Sequence, residues 1–122
     1  GIEELIKKSD VVTLHLPLDD STKNIMNEER LQMLKSSAVL INLARGGLID
    51  EAILKKMLLE KRIAGVALDV FEVEPPIDKE LLTMDNVLIT PHIGGSTEEA
   101  ILAMGVAAID GLDNAKDPLE FI

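Results

Sequence analysis

The chain has 122 residues, enough for one small domain, and 47% of them are hydrophobic, which argues against a disordered protein. Aromatic residues make up 2% and the net charge is -10, so the chain offers neither stacking platforms nor a basic surface to nucleic acid. It has no cysteine, and no apolar run reaches the roughly 18 residues of a membrane span. We expect a cytoplasmic protein with no metal, nucleic-acid or membrane partner.

Helical patterns alternate with short apolar runs along the chain. In chain order, the pattern predicts a helix within residues 1–8, a strand at 11–14, a helix at 28–34, a strand at 38–41, a helix at 50–59, strands at 64–68 and 87–90, and a helix at 96–112. Ser96 is the expected N-cap of the last helix, with Glu99 completing a capping box. The continuous apolar runs are typical of strands buried on both faces. We therefore predict an α/β fold, a parallel sheet of about four strands with helices on both faces.

Titratable residues and glycines follow the predicted strands. In an open parallel sheet the carboxyl ends of the strands share one edge, where ligands bind. Arg45 follows the second strand and precedes two glycines; its guanidinium suits a carboxylate, although a surface arginine bonded to a helix end is equally compatible. His92 follows the fourth strand and suits proton transfer near neutral pH, although a loop histidine without a task fits as well.

Acidic residues follow the third predicted strand. Glu74 precedes Pro75, and a carboxylate near His92 would favour the protonated imidazole, but a solvated loop acid is the simpler reading and spacing does not exclude Glu72. Asp69 ends the strand, where an acid either caps the next turn or accepts a hydrogen bond from a ligand amide. His15, after the first strand, is equally ambiguous because Pro17 and the residues after it can form a simple turn.

Taken together, the strand ends resemble one protein family. Four segments are similar, in order and in spacing, to signatures of the D-2-hydroxyacid dehydrogenases: Ser9–Pro17, Ile41–Glu51, Ala67–Pro75 and Asn86–Thr97. The resemblance extends from about Ile2 to Leu112 and implies the second half of a Rossmann-like NAD-binding domain. Within the family, the segments around Arg45 and Gly95 resemble the phosphoglycerate dehydrogenase branch most.

The resemblance implies a role for each of these residues. Arg45 would bind the carboxylate and carbonyl of a 2-oxo acid, His92 would exchange the proton, and Glu74 rather than Glu72 would hold His92. The expected cofactor is NAD, taken over NADP from the family, and the substrate is a small 2-hydroxy or 2-oxo acid. The cofactor-binding residues would be Leu16, Pro17, Leu43, Ala44, Arg45, Asp69, His92, Gly94 and Gly95. All three catalytic groups are expected to converge around one carbonyl oxygen.

The 122 residues contain no G-x-G-x-x-G phosphate-binding loop. We therefore expect residues 1–122 to be a partial NAD-binding domain, without the first βαβ half and without the substrate domain, which alone binds NAD weakly and is inactive. The strand at 11–14 would then be an exposed apolar edge, which favours a homodimer or larger assembly. The alternative is a non-catalytic Rossmann-like binding or dimerisation module.

Overall fold

The structure, a computed structural model, describes residues 1–115, which belong to two compact units that divide after His92. The first unit contains four helices and four strands, and the second contains one long helix. In chain order the elements are α1 (Ile2–Lys8), β1 (Val11–Leu14), α2 (Glu28–Gln32), β2 (Val39–Asn42), α3 (Glu51–Leu59), β3 (Gly65–Leu68), α4 (Lys79–Leu82), β4 (Val87–Ile89) and α5 (Glu98–Asp113).

The strands form one parallel sheet in the order β1-β2-β3-β4. Val12, Leu40, Val66 and Val87 are in register across all four strands, so they share one face of the sheet. The predicted fold class, an α/β protein with a four-stranded parallel sheet, is confirmed, and the strand ends differ from the prediction by at most one residue. All four carboxyl ends therefore lie at the same edge.

The hydrophobic core of the first unit lies against the face of the sheet that carries Val12. That side chain is 6% exposed, whereas Val11, on the opposite face, is 57% exposed. The expectation that the strands are buried on both faces is therefore wrong for β1, and also for β4, where Leu88 is 67% exposed. The reason is that the core described for this unit lies against the other face only. Apolar side chains of the helices complete this core, among them Ile6, Leu31, Leu54, Met57, Leu58 and Leu81.

Side-chain caps explain where α2, α3, α4 and α5 begin, whereas α1 has none. Asp50 precedes α3 and accepts a hydrogen bond from the Ile53 N–H at 3.1 Å. Asp78 likewise caps α4, a helix that the sequence did not predict because four residues are too few to show a period. The two aspartates therefore fix the turns through which the chain enters α3 and α4.

The second unit corrects the predicted start of its helix. Thr97, not Ser96, is the N-cap of α5, since the Thr97 hydroxyl accepts from the Ala100 N–H at 3.1 Å. The Ser96 N–H instead donates to the Ile93 carbonyl at 2.9 Å, within the turn before the helix. Serine and threonine both make good caps, and composition alone does not say which of two neighbours has the extended backbone that capping needs.

Candidate active site

A histidine and a glutamate pair at the carboxyl edge of the sheet. His92 follows β4 and Glu74 follows β3, and the His92 Nδ1 lies 2.7 Å from the Glu74 Oε2. The other Glu74 oxygen accepts a hydrogen bond from the Phe71 N–H at 3.0 Å. These two hydrogen bonds, that of His92 first, hold the pKa of the Glu74 carboxyl below its usual value. The carboxylate is thus fixed by a partner on each oxygen.

The ionised state of Glu74 determines which nitrogen of His92 carries a proton. A carboxylate can only accept hydrogen bonds, so the His92 Nδ1 must be the donor of the pair. The second ring nitrogen, Nε2, is then the one that can exchange a proton with a substrate. The His92 side chain is 50% exposed and its pair remains reachable from solvent. This arrangement suits a general acid and base.

His92 has an unusual backbone conformation. Its φ is +54°, in the left-handed region that residues other than glycine seldom adopt. The His92 N–H donates to the Thr90 carbonyl at 3.0 Å, which helps to hold this turn. Backbone conformations of this kind concentrate at functional sites, where the surrounding structure maintains them. No feature of the sequence indicated this conformation.

Asp69 lies beside the pair and is 2% exposed. The Thr90 hydroxyl donates to its Oδ1 at 2.5 Å, which ties the end of β3 to the end of β4. Asp69, Glu74, Thr90 and His92 line one cavity of about 620 Å³, whose other walls are apolar. This bond to the neighbouring strand end is a contact that the sequence did not predict, and the two roles considered for Asp69 stay predictions.

Arg45 lies on a turn that Asn42 shapes. Asn42 ends β2 and is 2% exposed; its amide donates to the Arg45 carbonyl at 2.9 Å and accepts from the Ala44 N–H at 3.1 Å. Asn42 was not among the site residues predicted from the sequence. A buried amide directly after an apolar strand was the available signal, since such a group requires partners.

The Arg45 guanidinium lies apart from the His92 pair. Its Nη1 donates to the Ala44 carbonyl at 2.7 Å, and among residues 1–115 no hydrogen bond or ion pair joins it to Glu74 or His92. It lines a second cavity, of about 450 Å³, together with His15, Leu16, Pro17, Leu18, Leu43 and Ala44. Two of the three predicted catalytic groups are thus paired, and the convergence of all three stays a prediction.

One close backbone contact nevertheless joins the two regions. A Cβ atom built on Gly46 would lie 1.9 Å from the Phe71 carbonyl oxygen and 2.6 Å from the Glu72 nitrogen. The turn that carries Arg45 therefore packs directly on the loop that carries Glu74, at a distance that only glycine permits. This contact therefore links the turn of Arg45 to the loop of Glu74.

The remaining predicted residues are placed as follows. Leu16, Pro17, Leu43 and Ala44 share the Arg45 cavity, whereas Asp69 and His92 line the other one. His15 lies 2.9 Å from the Thr13 hydroxyl through its Nε2. Gly94 and Gly95 belong to the second unit, before α5. The predicted cofactor contacts of all these residues stay predictions.

The family model described as "D-isomer specific 2-hydroxyacid dehydrogenase, NAD binding domain" matches residues 1–94. The chain belongs to this family. Over 104 residues it is 53% identical to a D-3-phosphoglycerate dehydrogenase of Methanocaldococcus jannaschii, an alignment that covers 85% of this chain and 20% of that protein.

Solved structures support the same assignment. A glyoxylate reductase from Paecilomyes thermophila matches 94% of this chain and 35% of its own, with a TM-score of 0.89 and 38% identity. A family member from Xanthobacter autotrophicus Py2, in complex with NADPH and MES, matches 75% of this chain and 29% of its own, with a TM-score of 0.71 and 47% identity. The chain thus spans about a third or less of these relatives, in the domain that binds the nicotinamide cofactor. Among residues 1–115, no helix has both the length and the apolar character to cross a membrane.

Proposed function

We propose that this dehydrogenase chain supplies the proton-transfer pair and the substrate-binding arginine of an enzyme that interconverts a D-2-hydroxy acid and its 2-oxo acid. The observation that carries the proposal is the 2.7 Å hydrogen bond between His92 and Glu74 at the carboxyl edge of the sheet. Parallel α/β sheets bind their ligands at this edge. Membership in the family supplies the reaction class.

Several of the residues assigned to the cofactor line one cavity, whose composition suits a bound ligand. The cavity that includes Arg45 combines apolar side chains with the backbone groups of the turn at Leu43 and Ala44, a common composition for a ligand site. Leu16 and Pro17, after β1, form its other side. We propose that these residues hold NAD, which supplies or accepts the hydride; NAD over NADP is taken from the family's name.

His92 is proposed as the acid and base. In the direction of reduction its Nε2 gives a proton to the oxygen of the 2-oxo group, and in oxidation it takes the hydroxyl proton. Glu74, bound to Nδ1, stabilises the imidazolium and holds the ring in one tautomer. The pair therefore keeps the donor nitrogen defined in both directions of the reaction.

Arg45 is proposed to bind the substrate. A guanidinium can bind a carboxylate through two parallel hydrogen bonds, and it stabilises the negative charge that develops on the carbonyl oxygen. Its Nη1 bond to the Ala44 carbonyl is local and can be exchanged for a substrate carboxylate. The proposed substrate is of the phosphoglycerate dehydrogenase type, in line with the 53% identity to the M. jannaschii protein.

A chimera tests this function. Residues of this chain would replace the matching segment of the M. jannaschii D-3-phosphoglycerate dehydrogenase, and NADH formation from 3-phosphoglycerate would be followed by absorbance. We expect an active chimera that loses about 10²- to 10⁴-fold in kcat on His92→Gln, the contribution of a positioned acid and base. Glu29→Ala, at an exposed position on α2, is the matched control. A folded but inactive chimera, or a His92→Gln variant as fast as its parent, would refute the proposal.

We also propose that the protein forms a homodimer. β1 is an edge strand of the sheet, and Val11 on it is 57% exposed. Exposed apolar edges favour pairing with another chain. Light scattering at high protein concentration should give at least twice the monomer mass, and a monomer at every concentration would contradict this proposal.

A further inference from the structure

We propose that Glu51 is a positioning residue that holds the Glu72 backbone and thereby sets the Glu74–His92 pair in place. This inference rests on the proposed function only in assigning a task to the pair. Glu51 lies neither in the predicted catalytic set nor beside His92, and its contact is with the backbone of the loop between β3 and Glu74.

The contact is short and directed. Glu51 is the first residue of α3, and its Oε1 accepts a hydrogen bond from the Glu72 N–H at 2.6 Å. Asp50 fixes the start of that helix by capping the Ile53 N–H. A hydrogen bond to a charged acceptor is about twice as strong as a neutral one. Glu51 therefore extends from a capped helix start to the loop that carries Glu72 and Glu74.

The two peptide groups on either side of Phe71 receive three contacts. The Phe71 N–H is bound by Glu74 and the Glu72 N–H by Glu51, and the Phe71–Glu72 peptide also packs on Gly46. Arg45, Gly46 and Glu51 all belong to the segment 45–51. One segment thus supplies the guanidinium and also two of the contacts that fix the loop of Glu74.

The charges around Glu51 show that its carboxylate is costly to keep. Burial raises the Glu51 pKa, and the negative charges of Glu72, Asp78 and Glu74 raise it further, against the lowering effect of the Glu72 N–H. The nearby Lys55 pairs with Asp78 and Glu80, at 2.7 Å and 2.8 Å. The hydrogen bond from the Glu72 N–H gives a reason for a carboxylate at this partly buried, negatively charged position.

Nuclear magnetic resonance on the 122-residue chain tests the proposal without any turnover. The variants are Glu51→Ala, which removes the acceptor, Glu51→Asp, which withdraws the carboxylate by one methylene, and Glu51→Gln, which keeps an acceptor in place. Glu29→Ala, in the first turn of α2, is the matched control. The chain has two histidines, so a His15→Asn variant assigns the ring nitrogens of His92.

In Glu51→Ala we expect the Glu72 amide to exchange with solvent about tenfold faster or more, as befits the loss of a hydrogen bond to a charged acceptor. The Glu74 carboxyl should titrate closer to its ordinary value, and the His92 Nδ1–H signature should weaken. Glu51→Gln should restore most of each signal, and Glu29→Ala should change none. Where Glu51→Ala does not fold, Glu51→Asp gives the same three measurements.

A lower melting temperature with unchanged Glu74 and His92 signals would overturn the proposal, since Glu51 would then act on stability alone. The two proposals fail separately. An inactive chimera together with altered signals in Glu51→Ala would refute the enzyme function and leave the positioning role intact. An active chimera with unaltered signals in Glu51→Ala would refute the positioning role and leave the enzyme function intact.

Discussion

Two neighbouring regions of one sheet edge hold their charged groups in different ways. Glu74 and His92, from the ends of β3 and β4, are bound to each other, and Glu74 is also bound to the Phe71 backbone. Arg45, after β2, is bound through its Nη1 to the carbonyl of its own neighbour. In the sequence the three residues have equivalent positions, each shortly after an apolar strand.

This difference in hydrogen bonding indicates which charged groups already have their partner and which can take a ligand as partner. The Glu74–His92 pair, the proposed acid and base, is formed without substrate, and its geometry is part of the fold. Among residues 1–115, the hydrogen bond found for the guanidinium is a local one to the backbone, so the proposed substrate carboxylate can replace it. If the proposed roles hold, preorganised proton-transfer groups need no rearrangement at the moment of reaction, whereas an arginine that binds substrate must be able to exchange its partner.

The largest expected difference between the two regions is the change in kinetic constants when Arg45 or His92 is substituted. In the chimera, Arg45→Lys should raise the KM for the acid substrate about ten- to hundredfold, because a lysine cannot form the paired hydrogen bonds of a guanidinium. His92→Gln should instead lower kcat. Steady-state kinetics of both variants would check this division of roles. Equal losses of kcat in both, with KM unchanged, would show that the regions are not distinct.

Gly46→Ala should disturb the contact between the two regions. Its Cβ would lie 1.9 Å from the Phe71 oxygen, so the loop or the turn must move, at a cost of about 1–3 kcal/mol of unfolding free energy. Gly105→Ala in α5 is the control, since among the described residues no atom outside the adjoining helix backbone lies within 4 Å of its built Cβ, and alanine favours helix. Urea denaturation measures both variants, and a Gly46→Ala protein as stable as its parent would show that the contact is not tight.

A smaller effect concerns the pH dependence of the pair. The Glu74 pKa is lowered in the folded state, first by His92 and then by the Phe71 N–H, from an ordinary value of 4.5. The carboxylate therefore adds stability above pH 4.5, and this is lost as the pH falls through the lowered pKa. Glu74→Gln should lie below the parent in unfolding free energy at pH 7, with the gap closing in acid. The effect is small because the pair is exposed; a gap that widened in acid would contradict it.

The sequence predicted the framework of the fold better than the contacts of the site. Apolar runs located all four strands because burial dictates their composition, and the loops after them followed from sheet topology. The short helix α4 has no period to detect, and the cap of α5 depended on the backbone of one threonine. The positive φ of His92 left no trace in residue type.

Hydrogen bonds between residues that are distant in the sequence were the least predictable feature. Glu74 was preferred over Glu72 only through family resemblance, and the hydrogen bond to His92 now distinguishes them. Asn42 and Glu51 act on backbone groups, and any polar residue at a strand end or helix start can do so. Such contacts depend on the three-dimensional path of the chain, which one sequence does not specify.

The interval between Gly46 and Glu51 has a consequence for chain length. Both residues touch the Phe71–Glu72 peptide, one through its Cα and one through its carboxylate. An inserted or deleted residue between them would preserve one contact only by breaking the other. Insertions that arise during divergence should therefore be tolerated far better in the turn-rich stretch between β1 and α2 than in this short interval.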